Sequence, residues 1–188
     1  MDKEIRTFVA VRITPGKELL DQFRKFKSIF RDDSINWVAE DNFHLTLRFL
    51  GNTSGLQAEQ LSERFEEVAS SFTSFEFAVK GAGYFKSKGS PRVLFLKISD
   101  AEKLSALADK VEAAAVAASF SEEQKAFRPH LTLGRIKHLN NRNRFCSVVD
   151  DLPEVLYQQV KVSEFIYYQS ILRPEGPIYK PIKIFRLK

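Results

Sequence analysis

Two of the chain's three histidines stand in the same tetrapeptide, His-Leu-Thr-Leu, at residues 44–47 and again at 130–133. With six threonines in 188 residues, a given histidine has about a 3% chance of a threonine two positions on, so the repeat points to duplication. In a strand, residues i and i+2 share a face. His44 with Thr46, and His130 with Thr132, therefore each set an imidazole beside a hydroxyl, while Leu45, Leu47, Leu131 and Leu133 turn toward a core. A single motif of this kind reads most simply as a satisfied core histidine. Its doubling favours two equivalent pairs facing each other across a cleft.

One imidazole on each wall is the arrangement that acid–base catalysis at phosphorus requires. In-line displacement puts the attacking and leaving oxygens on opposite sides of phosphorus, which calls for reactive nitrogens roughly 6–9 Å apart. A neutral imidazole takes the proton from water and a protonated one returns a proton to the departing oxygen. An ordinary histidine pKa near 6.5 makes both states accessible around neutrality. The threonine hydroxyls can donate to the non-bridging oxygens, where charge accumulates.

Other chemistries find less support. No HExxH or Cys/His cluster offers a metal site, and no GxSxG marks a nucleophile. The lone Cys146 reads as a small buried hydrophobe, and "GAGYFK" has Lys86 where a dinucleotide loop needs glycine.

Further candidates flank the motifs. Arg128, made extended by Pro129, shares the face of His130 and is a phosphate ligand candidate. Strict alternation places Arg48 on the face of Thr46 as a second phosphate ligand and turns Arg135 away. Gly134, at the position matching Arg48, would let a ligand approach. Phe43, Tyr84, Phe85, Trp37 and Tyr168 are base-stacking candidates by type, with Phe85 singled out for its loop position. His138, outside the repeat, reads as a surface residue.

The elements that must carry these residues follow from periodicity. A β-branched strand spans 5–13, and a helix with Leu19, Leu20, Phe23, Phe26 and Phe30 on one stripe spans 15–30. Short strands at 35–39 and 44–50 precede a helix carrying Leu61, Phe65, Val68 and Phe72. "FEFAVKGAGYF" and "PRVLFLKIS" form a hairpin about a loop at 86–90. Next come a helix at 100–119 opened by Asp100, a strand at 130–137 and a basic helical stretch within 140–151. Strands at 158–172 and 180–187 close the chain around "RPEGP". This order is α+β with internal duplication, and no linker divides it. One two-lobed domain over residues 1–188 is expected.

Net charge is +5, carried unevenly: residues 1–124 hold 17 basic and 19 acidic side chains, residues 125–188 hold 12 and 5. Arg128, Arg135, Lys137, Arg142 and Arg144 follow one another without an intervening acid, a pattern that attracts phosphate. The early acidic residues do not suit a signal peptide, and no run of eighteen apolar residues suits a membrane span. A cytosolic protein, monomeric by default, is expected.

Together the paired "HLTL" motifs, 86 positions apart, resemble those of the two-histidine phosphoesterase superfamily. "IRTFVAVRI", "HLTLRFLG", "GYF…PRVLFLKI", "FRPHLTLGRIK" and "YYQSILRPEGPIYKPIKIFRL" narrow this to the bacterial and archaeal RNA 2′,3′-cyclic phosphodiesterases, also called 2′-5′ RNA ligases. The resemblance implies a bilobal α+β fold around a central cleft, with no metal or other cofactor. It implies opening of RNA 2′,3′-cyclic phosphates to 2′-phosphates, and in some members reversible joining of tRNA halves. By motif position His44 is then the general acid, His130 the general base, and Thr46 and Thr132 hold the phosphate. Two alternatives are a phosphodiesterase for 2′-5′ linked oligonucleotides or ADP-ribose cyclic phosphate, and a non-catalytic module that binds RNA ends through the basic half.

Overall fold

The computed structural model describes residues 4–174 and 176–188. Its elements run β1 (Ile5–Arg12), α1 (Lys17–Ile29), β2 (Ser34–Trp37), β3 (His44–Thr53), α2 (Gly55–Ser71), β4 (Phe75–Ser87) and β5 (Ser90–Ser99). They continue through α3 (Glu102–Ala117), β6 (His130–His138), α4 (Arg142–Asp150), β7 (Leu156–Val162), β8 (Glu164–Ile171) and β9 (Ile178–Arg186). Two antiparallel sheets result, ordered β3-β1-β8-β9 and β2-β6-β5-β4-β7. The α+β, two-lobed architecture expected from the sequence is what forms.

The duplication is visible in the register. In the first sheet Ala10 pairs with Thr46, Val11 with Leu45 and Arg12 with His44. In the second, Phe95 pairs with Thr132, Leu96 with Leu131 and Lys97 with His130. The β1–β3 and β5–β6 pairs are thus the same unit twice.

Each unit sends its helix to the opposite sheet. α1 packs beside β7, where Gln158 accepts from the Gly16 N–H at 2.8 Å and donates to the Thr14 carbonyl at 2.9 Å. Phe23 of α1 meets Trp37 of β2 and Phe43 edge-on, and Phe30 meets Phe145 of α4. α3 reaches back to β3 and α2. Phe65 of α2 stands on Phe165, Tyr167 and Phe185 of the first sheet. One continuous apolar core, containing Phe23, Phe26, Phe65, Phe77, Leu96, Leu131 and Phe165, therefore runs beneath both sheets.

Local signals account for the ends of several elements. α2 begins with a capping box: the Ser54 hydroxyl accepts from the Gln57 N–H, and the Gln57 side chain accepts from the Ser54 N–H. Asn141 caps α4 by accepting from the Arg144 N–H. Three expectations are corrected. The strand expected over 158–172 is two strands broken at Ser163, one in each sheet. α3 starts after Ala101, because Asp100 takes a positive φ of 55° and does not cap it. The loop expected at 86–90 contracts to a turn at Lys88 and Gly89, both with positive φ, so Phe85 is part of a strand.

Candidate active site

His44 opens β3 and His130 opens β6, two strands that touch across the groove between the sheets. Each ring is fixed in the same way. His44 Nδ1 lies 2.6 Å from the Asn42 carbonyl and His130 Nδ1 lies 2.6 Å from the Arg128 carbonyl. A carbonyl oxygen only accepts, so Nδ1 carries the hydrogen and Nε2 is left to react. The free nitrogen accepts a proton when the ring is neutral and donates one when it is charged.

Aromatic rings surround both imidazoles. Phe8 and Tyr179 stand 5.3 and 5.1 Å from His44, and Phe8 stacks on Tyr168 at 5.1 Å. Phe85 and Phe95 stand 4.8 and 5.4 Å from His130. Burial pushes both histidines below the usual imidazole pKa, more than the carbonyl bonds raise it. The positive charges of His130 and Arg135 lower His44 further, and Arg135 also lowers His130. An arginine on one sheet thus acts on a histidine of the other, which places both walls within one electrostatic field.

Thr46 and Thr132 occupy the equivalent register positions two residues beyond each histidine, partly exposed on the same face. Beyond them, alternation fails. A bulge at Leu47 leaves Arg48 opposite Val9, where strict pairing after Ala10–Thr46 would put Leu47, and a matching bulge occurs at Leu133. Each bulge reverses the faces of the residues that follow.

Arg48 is therefore turned away from the histidines, contrary to the expectation of a phosphate ligand. It is buried against α3 and the segment after it: Nε lies 2.6 Å from Glu112, close as an ion pair though off-line as a hydrogen bond. Its other nitrogens donate to Glu123 at 3.0 Å and to the Ser121 carbonyl at 2.5 Å. Gly134 is corrected as well. A Cβ there would stand 2.7 Å from Ile35 and 3.2 Å from Trp37, so the glycine admits β2 and not a ligand. At matched positions, one sheet accommodates the segment following the exchanged helix with a glycine, and the other ties it down with an arginine.

The same bulges bring Phe49 and Arg135 to the cleft face, where alternation had not put them. Phe49 is 55% exposed and 6.0 Å from Phe8. A signal for this was in the sequence. The inward apolar residues run Leu45, Leu47, Leu50 and Leu131, Leu133, Ile136, a spacing of two followed by three, and Leu50 and Ile136 do pack on the core. Tyr179 and Phe8, beside His44, carried no such signal.

Of the other candidates, Phe85 lies against His130, and Tyr168 sits on Phe8 beside His44. Arg128 is exposed, and its carbonyl holds His130. Phe43 and Trp37 pack on Phe23, and Tyr84 turns to Phe145 and donates to Asp150 at 2.9 Å. These three stay outside the histidine cluster. Among the described residues, no three His, Cys, Asp or Glu side chains converge as metal ligands, and no helix is long and apolar enough to cross a membrane.

Comparison with known proteins gives the family. The chain is 35% identical over 181 residues to an RNA 2′,3′-cyclic phosphodiesterase of Thermotoga maritima, covering 94% of this chain and 92% of that one. It is 33% identical to the enzyme of the same name from Archaeoglobus fulgidus, covering 96% and 99%. The crystal structure of the Thermus thermophilus protein TT0787 superposes with a TM-score of 0.78 at 28% identity, covering 97% and 98%. The sequence family described as LigT like Phosphoesterase matches twice in succession, at residues 12–95 and 96–179, with one histidine motif in each half. A repeated family match, relatives along nearly the full chain and a histidine pair at the centre of the duplicated fold establish that this protein belongs to the LigT-like phosphoesterases.

Proposed function

We propose that the protein opens 2′,3′-cyclic phosphate ends of RNA to 2′-phosphates, without a metal ion, through His44 as acid and His130 as base. The observation that carries this reading is the matched pair of imidazoles, each held at Nδ1 by the carbonyl two residues before it, with Nε2 free. The relatives' names supply the substrate class.

In this mechanism His130 Nε2 removes a proton from water as the water oxygen bonds to phosphorus. The bond from phosphorus to O3′ breaks on the far side, and His44 Nε2 delivers its proton to O3′. A 2′-phosphate and a free 3′-hydroxyl result, and both rings have exchanged protonation state. Thr46, Thr132 and Arg135 are the groups assigned to the non-bridging oxygens, where negative charge builds. A 5′-hydroxyl of a second RNA in place of water would give a 2′-5′ linkage by the same steps.

The test is incubation of EDTA-treated protein with an RNA ending in a 2′,3′-cyclic phosphate, resolving the two phosphate isomers. A 2′-phosphate product is expected. Exclusive 3′-phosphate would reverse the assigned leaving oxygen, and RNA bound without turnover would favour an end-binding module or a 2′-5′ linked substrate.

The lowered histidine pKa values also set the pH response. kcat/KM reports the free enzyme, in which the base must be neutral and the acid charged. With both imidazoles titrating below 6.5, the bell should centre on the acidic side of pH 6.5, with activity already falling through pH 7. A bell centred above pH 7 would contradict the burial argument. Stability has the corresponding sign: below pH 6.5 the unfolded chain binds more protons than the fold, so stability declines as pH falls toward the folded-state values.

A further inference from the structure

A cavity opens on the second sheet beside the histidine cluster. It is an open groove of about 450 Å³ between the second sheet and the segment joining α4 to β7, lined among others by Gly83, Tyr84, Phe95, Lys86, Lys97 and Glu154. We propose that this groove receives the base and backbone of the nucleotide preceding the cyclic phosphate, making a single-stranded RNA, and not a lone mononucleotide, the preferred substrate. The inference rests on the functional reading above.

Continuity with the catalytic wall is the first argument. Phe95 lines the groove and also stands 5.4 Å from His130, and Lys97 is the cross-strand partner of His130. Gly83 pairs with Phe95 on the next strand out. From β6 through β5 to β4 the groove floor lies two strand spacings, about 10 Å, beyond the reacting histidine. Phe85 and Phe95 already stand beside His130, where a terminal base would stack. The groove is the place after that one. Because a cyclic phosphate closes the 3′ end, the chain can leave it in only one direction.

The lining suits a nucleotide. A Cβ on Gly83 would approach the Phe95 ring to 2.9 Å, so glycine keeps the floor flat beside that ring. Lys86 stands over the Tyr84 ring at 5.4 Å and carries a cation to the rim for a backbone phosphate. Glu154, held 2.7 Å from Lys97, and Asp150, which accepts from Tyr84, keep free lone pairs for base amino groups. Base stacking on protein aromatics is worth enough for at least a fivefold preference.

The experiment compares a dinucleotide and a mononucleotide, both ending in 2′,3′-cyclic phosphate, on the natural protein, Leu152→Trp and Lys86→Ala. Leu152 lines the groove from the segment joining α4 to β7, and tryptophan there obstructs it. The expected result is a kcat/KM at least about fivefold higher for the dinucleotide, with the ratio falling toward one in both variants. Equal kcat/KM for the two substrates, or a ratio unchanged in both variants, overturns the inference. Equal slowing of both substrates overturns it too, because the groove would then hold the terminal nucleotide. Binding of the matching 2′-phosphate products is measured on the same proteins. If neither cyclic substrate turns over but the dinucleotide product still binds more tightly and loses that advantage in the variants, the catalytic reading fails and the groove assignment stands; equal binding sinks the groove.

Discussion

His44→Ala and His130→Ala are each expected to lose about 10²–10⁴ in kcat for opening a cyclic phosphate, the usual contribution of a positioned acid or base. The loss should fall on kcat more than on KM, because the proposed phosphate ligands Thr46, Thr132 and Arg135 remain in place. Both rings are partly exposed on the cleft face, with the leucines between them in the core. Folding should therefore survive, with thermal unfolding altered by no more than about 1–2 kcal/mol. The double variant should be little worse than either single one, since acid and base act on one displacement. The pH profiles separate the roles. His130→Ala should lose the fall at low pH, where a base is silenced by protonation, and His44→Ala the fall at high pH, where an acid is exhausted. Full activity in either variant would refute the pair, and exchanged limbs would exchange the assignments.

Arg48→Met is expected to have the second largest effect, on stability and on one histidine only. Arg48 leaves the first motif and grips Glu112, Glu123 and the Ser121 carbonyl. Glu123 in turn accepts from the Lys125 N–H, and its own N–H donates to Glu112. That segment leads without interruption to Arg128, whose carbonyl holds His130. Removing one member of a buried ion cluster costs about 3–5 kcal/mol, and partial exposure of the two glutamates brings this toward the lower end. Thermal midpoints should fall by roughly 6–12 °C. The positional consequence is read by NMR of the imidazole protons. The Nδ1–H signal of His130 should exchange faster or vanish while that of His44 persists, and kcat should drop with KM little changed. Glu123→Ala, which frees the segment but leaves the Arg48–Glu112 pair, should give the same pattern with a smaller stability loss. An unaltered His130 signal in both variants would reduce Arg48 to an ordinary structural cation.

Most elements were legible from periodicity because each strand and helix shows one apolar face to one core. The paired motifs named the two histidines, and the inward leucines fell where alternation put them. Alternation then misplaced Arg48, Gly134 and Arg135 for one physical reason: an extra residue at Leu47 and at Leu133 changes the side of the residues just after it. The spacing of inward apolar residues records that bulge, whereas the identity of the polar residues does not. Ser163 was passed over because the residues around it favour strand equally, and only the sheet assignment separates β7 from β8. The exchange of α1 and α3 was illegible in principle. An amphipathic stripe states that a helix face is covered and is silent about which sheet covers it. Phe8 and Tyr179 lie far from both motifs in the chain, and pairing with distant strands alone brings them to His44.

The exchanged helices make the two repeats interdependent. A half-chain ending near residue 95 would stop inside β5, and its first helix would belong to a sheet that had lost β6 and β7. A self-sufficient half of this design could cover its sheets only by lending its helix to a second copy and borrowing one in return, as an intertwined pair. Such a pair has a single cleft on its two-fold axis, with one histidine from each copy. Joining the copies into one chain keeps that cleft and frees its walls from identity. Arg48 at the place equivalent to Gly134, and Phe49 at the place equivalent to Arg135, are differences that only a fused chain can hold. They give the two walls unlike side chains, an exposed phenylalanine on one and an exposed arginine on the other, around a reaction whose two imidazoles must themselves play unequal parts.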